Sequence, residues 1–350
     1  MPRDLSLAEI FQIGYYWETK ILLTAIKLDL FSALDGRSDS PSDLAKRLSL
    51  DERALSLVLN ALVAMRVLTK HEGRFANTSV ARKHLVKVSP DYVGHLLVLH
   101  DSEWMNWGKL EETVRSGVSP VRQHVFETDP EMGANVLAVL DRIGRGSGVT
   151  FAKVLQLDGV EQVLDVGGGA GTNAIAFCRE YPHLRATVFD LPSTLQVTER
   201  SIKEAGLEDR IAVMPGNFNT DSLGGLYDLV LLSDVLHYQD AQANAALVRK
   251  AFAHLTDEGR LVIKDRFLDP DRTSPAWTTA FAVHILVNTE EGQCFTTQEA
   301  MEWMIRAGFT SVTELEPRAI VQGIKEPLIS CDSGMQGKAS RSETRGLSSR

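Results

Sequence analysis

Val163-Leu164-Asp165-Val166-Gly167-Gly168-Gly169-Ala170-Gly171-Thr172-Asn173-Ala174 is the stretch that decides the fold. Residues 163–166, apolar but for one Asp, read as a buried parallel strand, and residues 174–179 continue with helical character. Strand, glycine turn and helix in that order open a nucleotide-binding α/β unit. Gly167, Gly169 and Gly171 let the backbone turn sharply and let a ligand lie against it with no Cβ in the way.

Two ligand classes use such a loop. A dinucleotide fingerprint needs G-x-G-x-x-G, and counting from Gly167 the third glycine falls at Thr172, so that match fails. Asp165, at the strand end, would repel a pyrophosphate but suits a ligand carrying an ammonium and a sulfonium. The next apolar run, residues 186–189, ends in Asp190, whose carboxylate can accept from both hydroxyls of a ribose. Glycine loop, Asp165 and Asp190 together point to S-adenosylmethionine as cofactor. The blander alternative is a tight βα turn with two solvated Asp residues.

A chain of 350 residues has room for two domains, and 44% hydrophobic with 24% charged residues is ordinary for a globular protein. The net charge of −9 argues against a nucleic-acid or anionic-membrane partner. Cys178, Cys294 and Cys331 lack metal-ligand spacing, and no His or carboxylate cluster supplies it, so no metal is expected. Without a signal-peptide core or a stretch of membrane-spanning length, the expected location is cytoplasmic.

Toward the N-terminus, residues 5–34 carry a helical apolar pattern that Asp35-Gly36 stops. Ser40-Pro41 opens a second helix as cap and first residue, residues 52–67 form another, and residues 68–75 read as a hairpin turning at Glu72-Gly73. This is a winged-helix pattern. Its would-be recognition helix is apolar on most of its circumference and poor in Arg, Lys, Asn and Gln, which favours packing or dimerisation over DNA.

Residues 93–117 read as helical and hold His95, His100, Trp104, Met105, Asn106 and Trp107. Residues 132–143 read as another helix, with a glycine-containing stretch at 144–148 loosening the chain. Such a Trp/Met/His cluster is either core or the wall of a ligand pocket, with Trp104, Trp107, Met132, His284 and Cys294 as candidate wall residues. After Asp190 the βα alternation continues, so Gly167, Asp190, Asn217, Ser233, His237 and Asp265 fall at strand ends where ligands of parallel sheets bind. Residues 330–350, rich in Ser, Gly and Arg, read as a disordered tail.

With these residues in place, residues 7–323 resemble the small-molecule O-methyltransferases of the caffeic acid and hydroxyindole (acetylserotonin) type. The resemblance rests on the winged-helix front, Leu164–Gly171, Phe189-Asp190-Leu191-Pro192, Leu236-His237-Tyr238-Gln239-Asp240 and Ala307-Gly308-Phe309. It implies a Rossmann-like class I methyltransferase domain at 151–329, mostly parallel α/β, behind an α-helical winged-helix dimerisation domain at 1–90 and a helical acceptor-pocket region at 91–150. It further implies a homodimer, a small-molecule acceptor, and donor contacts from Asp190, Leu191, Asn217, Phe218 and Ser233. His237 matches the family's catalytic base and Asp265 the acid that orients it.

Two departures stand out. Tyr238 follows the histidine where the family commonly has Asp, and Cys294 stands where it has a second acid beside the histidine. The leading expectation is an S-adenosylmethionine-dependent O-methyltransferase acting on a small, largely apolar ring compound. Methylation at carbon or nitrogen by proximity alone is the alternative, and a ligand-sensing winged-helix regulator is the reading from another class.

Overall fold

The computed structural model describes residues 4–121 and 128–327 of the chain. Its centre is a seven-stranded sheet in the order β5-β4-β3-β6-β7-β9-β8. These strands are β3 Gln162–Val166, β4 Arg185–Asp190, β5 Ile211–Pro215, β6 Tyr227–Ser233, β7 Leu255–Lys264, β8 Ser311–Glu316 and β9 Ile320–Ile324. The first five run parallel, while β9 pairs antiparallel with β7 and β8 with β9. The chain starts in the middle at β3, winds one way to β5, and resumes beside β3 at β6. That reversal opens a crevice at the carboxyl ends of β3 and β6, where a doubly wound sheet binds its ligand. Near-continuous apolar strands such as Leu229–Leu232, all fully buried, fit a sheet covered on both faces.

The front of the chain has its own core of Leu30, Phe31, Leu44, Leu59, Leu62 and Phe75. The hairpin β1 Leu68–His71 and β2 Arg74–Asn77 turns at Glu72-Gly73, both at positive φ, and Ser40 caps helix Pro41–Leu48 as its sequence indicates. The single helix expected over 5–34 is three: Leu7–Gly14, Trp17–Lys27 and Leu30–Ala33. The breaks fall at extended Tyr15 and at Asp29, which adopts the left-handed conformation at φ 55°. Helix Leu7–Gly14 buries no residue, and Leu7, Phe11 and Ile13 stand 68%, 56% and 73% exposed. Helix Glu52–Ala64 also differs from expectation. Only its Leu55, Leu59 and Leu62 face is buried, and Leu57 is 62% exposed, because this chain covers one side of it.

The helical stretch expected at 93–117 likewise divides into Gly94–Ser102, Trp104–Trp107 and Leu110–Ser116. The opposite correction applies at 144–148. Helix Pro130–Leu155 runs through the glycines unbroken, because they serve helix packing rather than loosening. A Cβ on Gly148 would stand 2.7 Å from the Ala176 Cβ, and one on Gly144 would stand 3.3 Å from Thr172 Cγ2. Small residues let helix Thr172–Glu180 cross this closely. Buried Asp141 locks the crossing by accepting a 2.7 Å bond from the Thr172 hydroxyl and pairing with Arg145 at 2.6 Å. Among the described residues no helix is long and apolar enough to cross a membrane. The tail at 330–350 and Cys331 lie outside them.

Candidate active site

The glycine loop takes the shape its sequence requires. Gly167, Gly169 and Gly171 sit at φ 67°, 56° and 78°, a region open to glycine and strained for other residues. Asp190 ties the loop to β4: its Oδ2 accepts from the Gly169 N–H at 2.8 Å and its Oδ1 from the Leu191 N–H at 2.7 Å. A carboxylate offers about four lone-pair sites, so capacity remains for two more donors, the number a ribose diol supplies. Phe218 lies over Gly167, its ring 3.8 Å from where a Cβ there would stand. Lys250 fixes the 218–221 loop through the carbonyls of Phe218 at 2.7 Å and Asp221 at 2.8 Å, a role nothing in the local sequence announces. Asn217 is exposed, and its side-chain oxygen accepts from the Asn219 N–H at 2.9 Å, leaving one lone pair for a ligand.

Asp165 is placed differently from the simple expectation of ligand contact. It is fully buried under the loop, with its Cγ 2.8 Å from a Cβ built on Gly168, and neither carboxylate oxygen has a hydrogen-bond partner. Burial first, and the charge of Asp190 second, push its pKa up from 3.8 to about 7. Lys264 and the Ala174 N–H, which completes no bond to it, pull the other way. An orphaned buried carboxylate beneath a glycine cradle fits a cationic ligand, which can supply at range the charge that no side chain supplies in contact.

A stability prediction follows from Asp165. Between the ordinary 3.8 and about 7 the folded chain keeps a proton that the unfolded chain has released. Stability of the ligand-free protein therefore falls as pH rises through that window. Asp190, raised chiefly by its burial, contributes with the same sign. Thermal melts from pH 5 to 8 should show the native melting temperature dropping by several degrees, at about 2–4 °C per kcal/mol. Asp165→Asn should flatten that drop; an equal drop in the variant would refute the assignment.

On the other side of the crevice, His237 sits in the short 3₁₀ turn Leu236–Tyr238 directly after β6. It is 2% exposed, and its Nδ1 lies 2.7 Å from Asp265 Oδ1 just past the end of β7. Asp265 also accepts from the N–H groups of Leu236 at 3.1 Å and Arg266 at 2.7 Å. A carboxylate so held keeps the Nδ1–H tautomer, leaving Nε2 as the basic atom. Asn244 completes the support by donating to the Leu236 carbonyl at 2.9 Å.

Cys294 is buried, and its thiol is pushed up to about 12, by burial first and by the charge of Asp265 second. It is a neutral group there, not a substitute carboxylate. Ser233 donates to Asp234 at 3.2 Å. Although burial pushes Asp234 up, the charges of Lys264, Arg266 and His237 hold it below the ordinary value. Nothing in the linear sequence signals this Asp234–Lys264–Arg266 cluster, since Asp234 lies about thirty residues before the two cations and meets them only because β6 and β7 are neighbours in the sheet.

The candidate wall residues divide. His284 stacks on Phe281, whose ring meets His237 edge-on at 5.2 Å, so His284 joins the His237 side of the crevice. Trp107 lies 6.2 Å from the His284 ring, and Trp104 packs between Tyr16 and Lys20 one turn away. Met132, half-buried, sits in the first turn of helix Pro130–Leu155.

Known proteins similar to this chain are methyltransferases. Residues 110–310 match the O-methyltransferase domain family, and residues 11–87 match the O-methyltransferase dimerisation domain. The tetracenomycin polyketide synthesis 8-O-methyl transferase TcmO of Streptomyces glaucescens is 31% identical over 85% of this chain and 89% of its own. The L-tyrosine C(3)-methyltransferase of Streptomyces lavendulae is 28% identical over 83% of each of the two chains. An N,N-dimethyltransferase, OxyT of Streptomyces rimosus, is also 28% identical, over 74% and 78%. The S-adenosyl-L-methionine-dependent methyl transferase PigF of a Serratia species is 25% identical over 90% and 94%. Its solved structure with SAH superposes with a TM-score of 0.86 at 24% identity, over 92% of this chain and 100% of that one. A matched domain covering more than half the chain, sitting on this glycine loop and behind this front domain, decides the matter: the chain belongs to the O-methyltransferase family, S-adenosylmethionine-dependent methyltransferases of small molecules with an N-terminal dimerisation domain.

Proposed function

We propose that this enzyme methylates a hydroxyl on a small, largely apolar ring compound, with His237 as general base. The observation that carries the reading is the buried His237–Asp265 pair at the mouth of the donor crevice, 2.7 Å from Nδ1 to Oδ1. S-adenosylmethionine, when bound, supplies a methyl group made electrophilic by its sulfonium. Gly167, Gly169, Gly171 and Ser233 would line its place, Asp190 would take the ribose diol, and Leu191, Asn217 and Phe218 would hold the adenine end. His237 Nε2 takes the acceptor hydroxyl's proton as the oxygen attacks, and Asp265 stabilises the resulting imidazolium. Relatives named for C- and N-methylation, at identities close to that of TcmO, favour a second reading in which the acceptor atom is carbon or nitrogen. Turnover of hydroxylated, C-nucleophilic and amine-bearing aromatics with methyl-labelled donor, read by mass and methyl position, separates the two. Label on oxygen supports the first reading, and label confined to carbon or nitrogen overturns it.

The same reading makes the protein a homodimer. The apolar residues of helix Leu7–Gly14 and Leu57 are too exposed on one protomer to remain wet. Light scattering at micromolar concentration should return twice the chain mass, and a monomer with an ordered front segment would contradict it. A cytoplasmic location fits the free buried thiols of Cys178 and Cys294.

A further inference from the structure

One face of helix Ala276–Asn288 carries a ladder of three rings, of which the middle one, Phe281, meets His237 edge-on. Trp277 and Phe281 stack at 5.0 Å and 13°, and Phe281 and His284 at 5.7 Å and 22°. Beyond His284 lies Glu103, whose Oε2 is 3.8 Å from His284 Nε2 and 3.2 Å from His100 Nδ1. A metal is the first thought, since ligand atoms of His100, Glu103 and His284 lie within 4.8 Å of one another. The state of His284 argues against it.

A ligating Nε2 needs its lone pair, with the proton on Nδ1. Asn288 fixes the reverse. Its Nδ2 donates to the His284 carbonyl at 3.0 Å and lies 3.1 Å from His284 Nδ1, while its Oδ1 accepts from Asn106 at 2.8 Å. Both hydrogens of one amide nitrogen are thus used, and His284 Nδ1 is the acceptor. Turning the amide over would set its oxygen against the His284 carbonyl. His284 therefore presents an Nε2–H beside a carboxylate that is too distant to bond it directly. Burial keeps this imidazole toward its neutral form against the pull of Glu103, and His100 and His237 reinforce burial. A donor and an acceptor, side by side and not joined, match a group that both accepts and donates one hydrogen bond. A hydroxyl is such a group.

We propose that Glu103 and His284 form a second anchoring point, which selects aromatic acceptors bearing a further hydroxyl on the side of the ring system away from the hydroxyl that meets His237. This rests on the reading of His237 as the site of the reacting hydroxyl. Its sources are the tautomer, the 3.8 Å gap and the single Phe281 ring that separates the two stations.

The test compares a monohydroxynaphthalene with a dihydroxynaphthalene whose hydroxyls lie on opposite rings. Two readouts are taken: kcat/KM for methyl transfer, and calorimetric affinity for the enzyme loaded with S-adenosylhomocysteine. The native enzyme should prefer the diol by at least ~10-fold, mainly through KM, within the range of one hydrogen bond to a charged group. Glu103→Gln and, independently, His284→Phe should each bring that ratio near unity, with folding checked by thermal melts. A ratio unchanged in both variants, or no native preference in either readout, overturns the inference. Metal bound stoichiometrically by the native protein and lost in Glu103→Gln overturns it too. Diol-selective binding without O-methylation of either compound would instead count against His237 as the methyl-transfer station, which separates the two failures.

Discussion

His237→Ala is expected to lower single-turnover methyl transfer by at least ~10²-fold, the lower end of what a positioned general base contributes. The buried imidazole has one strong partner, Asp265, which in turn is held by the backbone of Leu236 and Arg266. Asp265→Asn should therefore follow His237→Ala closely, because the amide neither fixes the Nδ1–H tautomer nor stabilises the protonated ring. Cys294→Ala should behave otherwise. A neutral buried thiol pushed up to about 12 takes no proton at working pH, so its loss should change acceptor affinity more than turnover. Near-native rates in His237→Ala would mean that proximity of acceptor and methyl suffices. A Cys294→Ala variant as slow as Asp265→Asn would put the thiol into the chemistry.

Asp190→Ala should weaken donor binding by roughly 1.5–3 kcal/mol, the range for hydrogen bonds to a charged group. Two effects combine. The ribose diol loses its acceptor, and the Gly169 and Leu191 N–H groups lose the oxygens that shape the loop. Asp190→Asn separates them, since its one remaining carbonyl oxygen can serve the loop or the ligand but not both. Calorimetry with S-adenosylhomocysteine checks the figure, and unchanged affinity in Asp190→Ala would remove Asp190 from the donor site.

Much of this was legible in the chain itself, for identifiable reasons. Strand-end residues such as Gly167, Asp190, His237 and Asp265 are placed by the parallel sheet, so counting βα units brought them to one crevice. The long apolar runs and the Ser40-Pro41 cap gave the elements their type and order. Helix continuity was the weak point. Glycines near 144–148 read locally as a break, whereas contact with Thr172 and Ala176, distant in sequence, makes them the reason two helices can touch. Likewise the left-handed Asp29 gave no local signal within an apolar repeat. Side-chain partners that meet only in three dimensions, such as Glu103 with His284 or Asp234 with Arg266, carry no spacing that a linear reading can detect.

The Asp141–Thr172 bond joins the helix whose first turn carries Met132 to the helix that opens after the glycine loop, and Leu137 of the former reaches to 3.2 Å from a Cβ built on Gly169. Anyone recombining relatives to change acceptor choice should therefore treat residues 130–180 as one indivisible cassette. A crossover between 148 and 172 would pair glycine contacts from one parent with helix faces from another. A join in the connections before 130 or after 180 leaves that meshed pair intact.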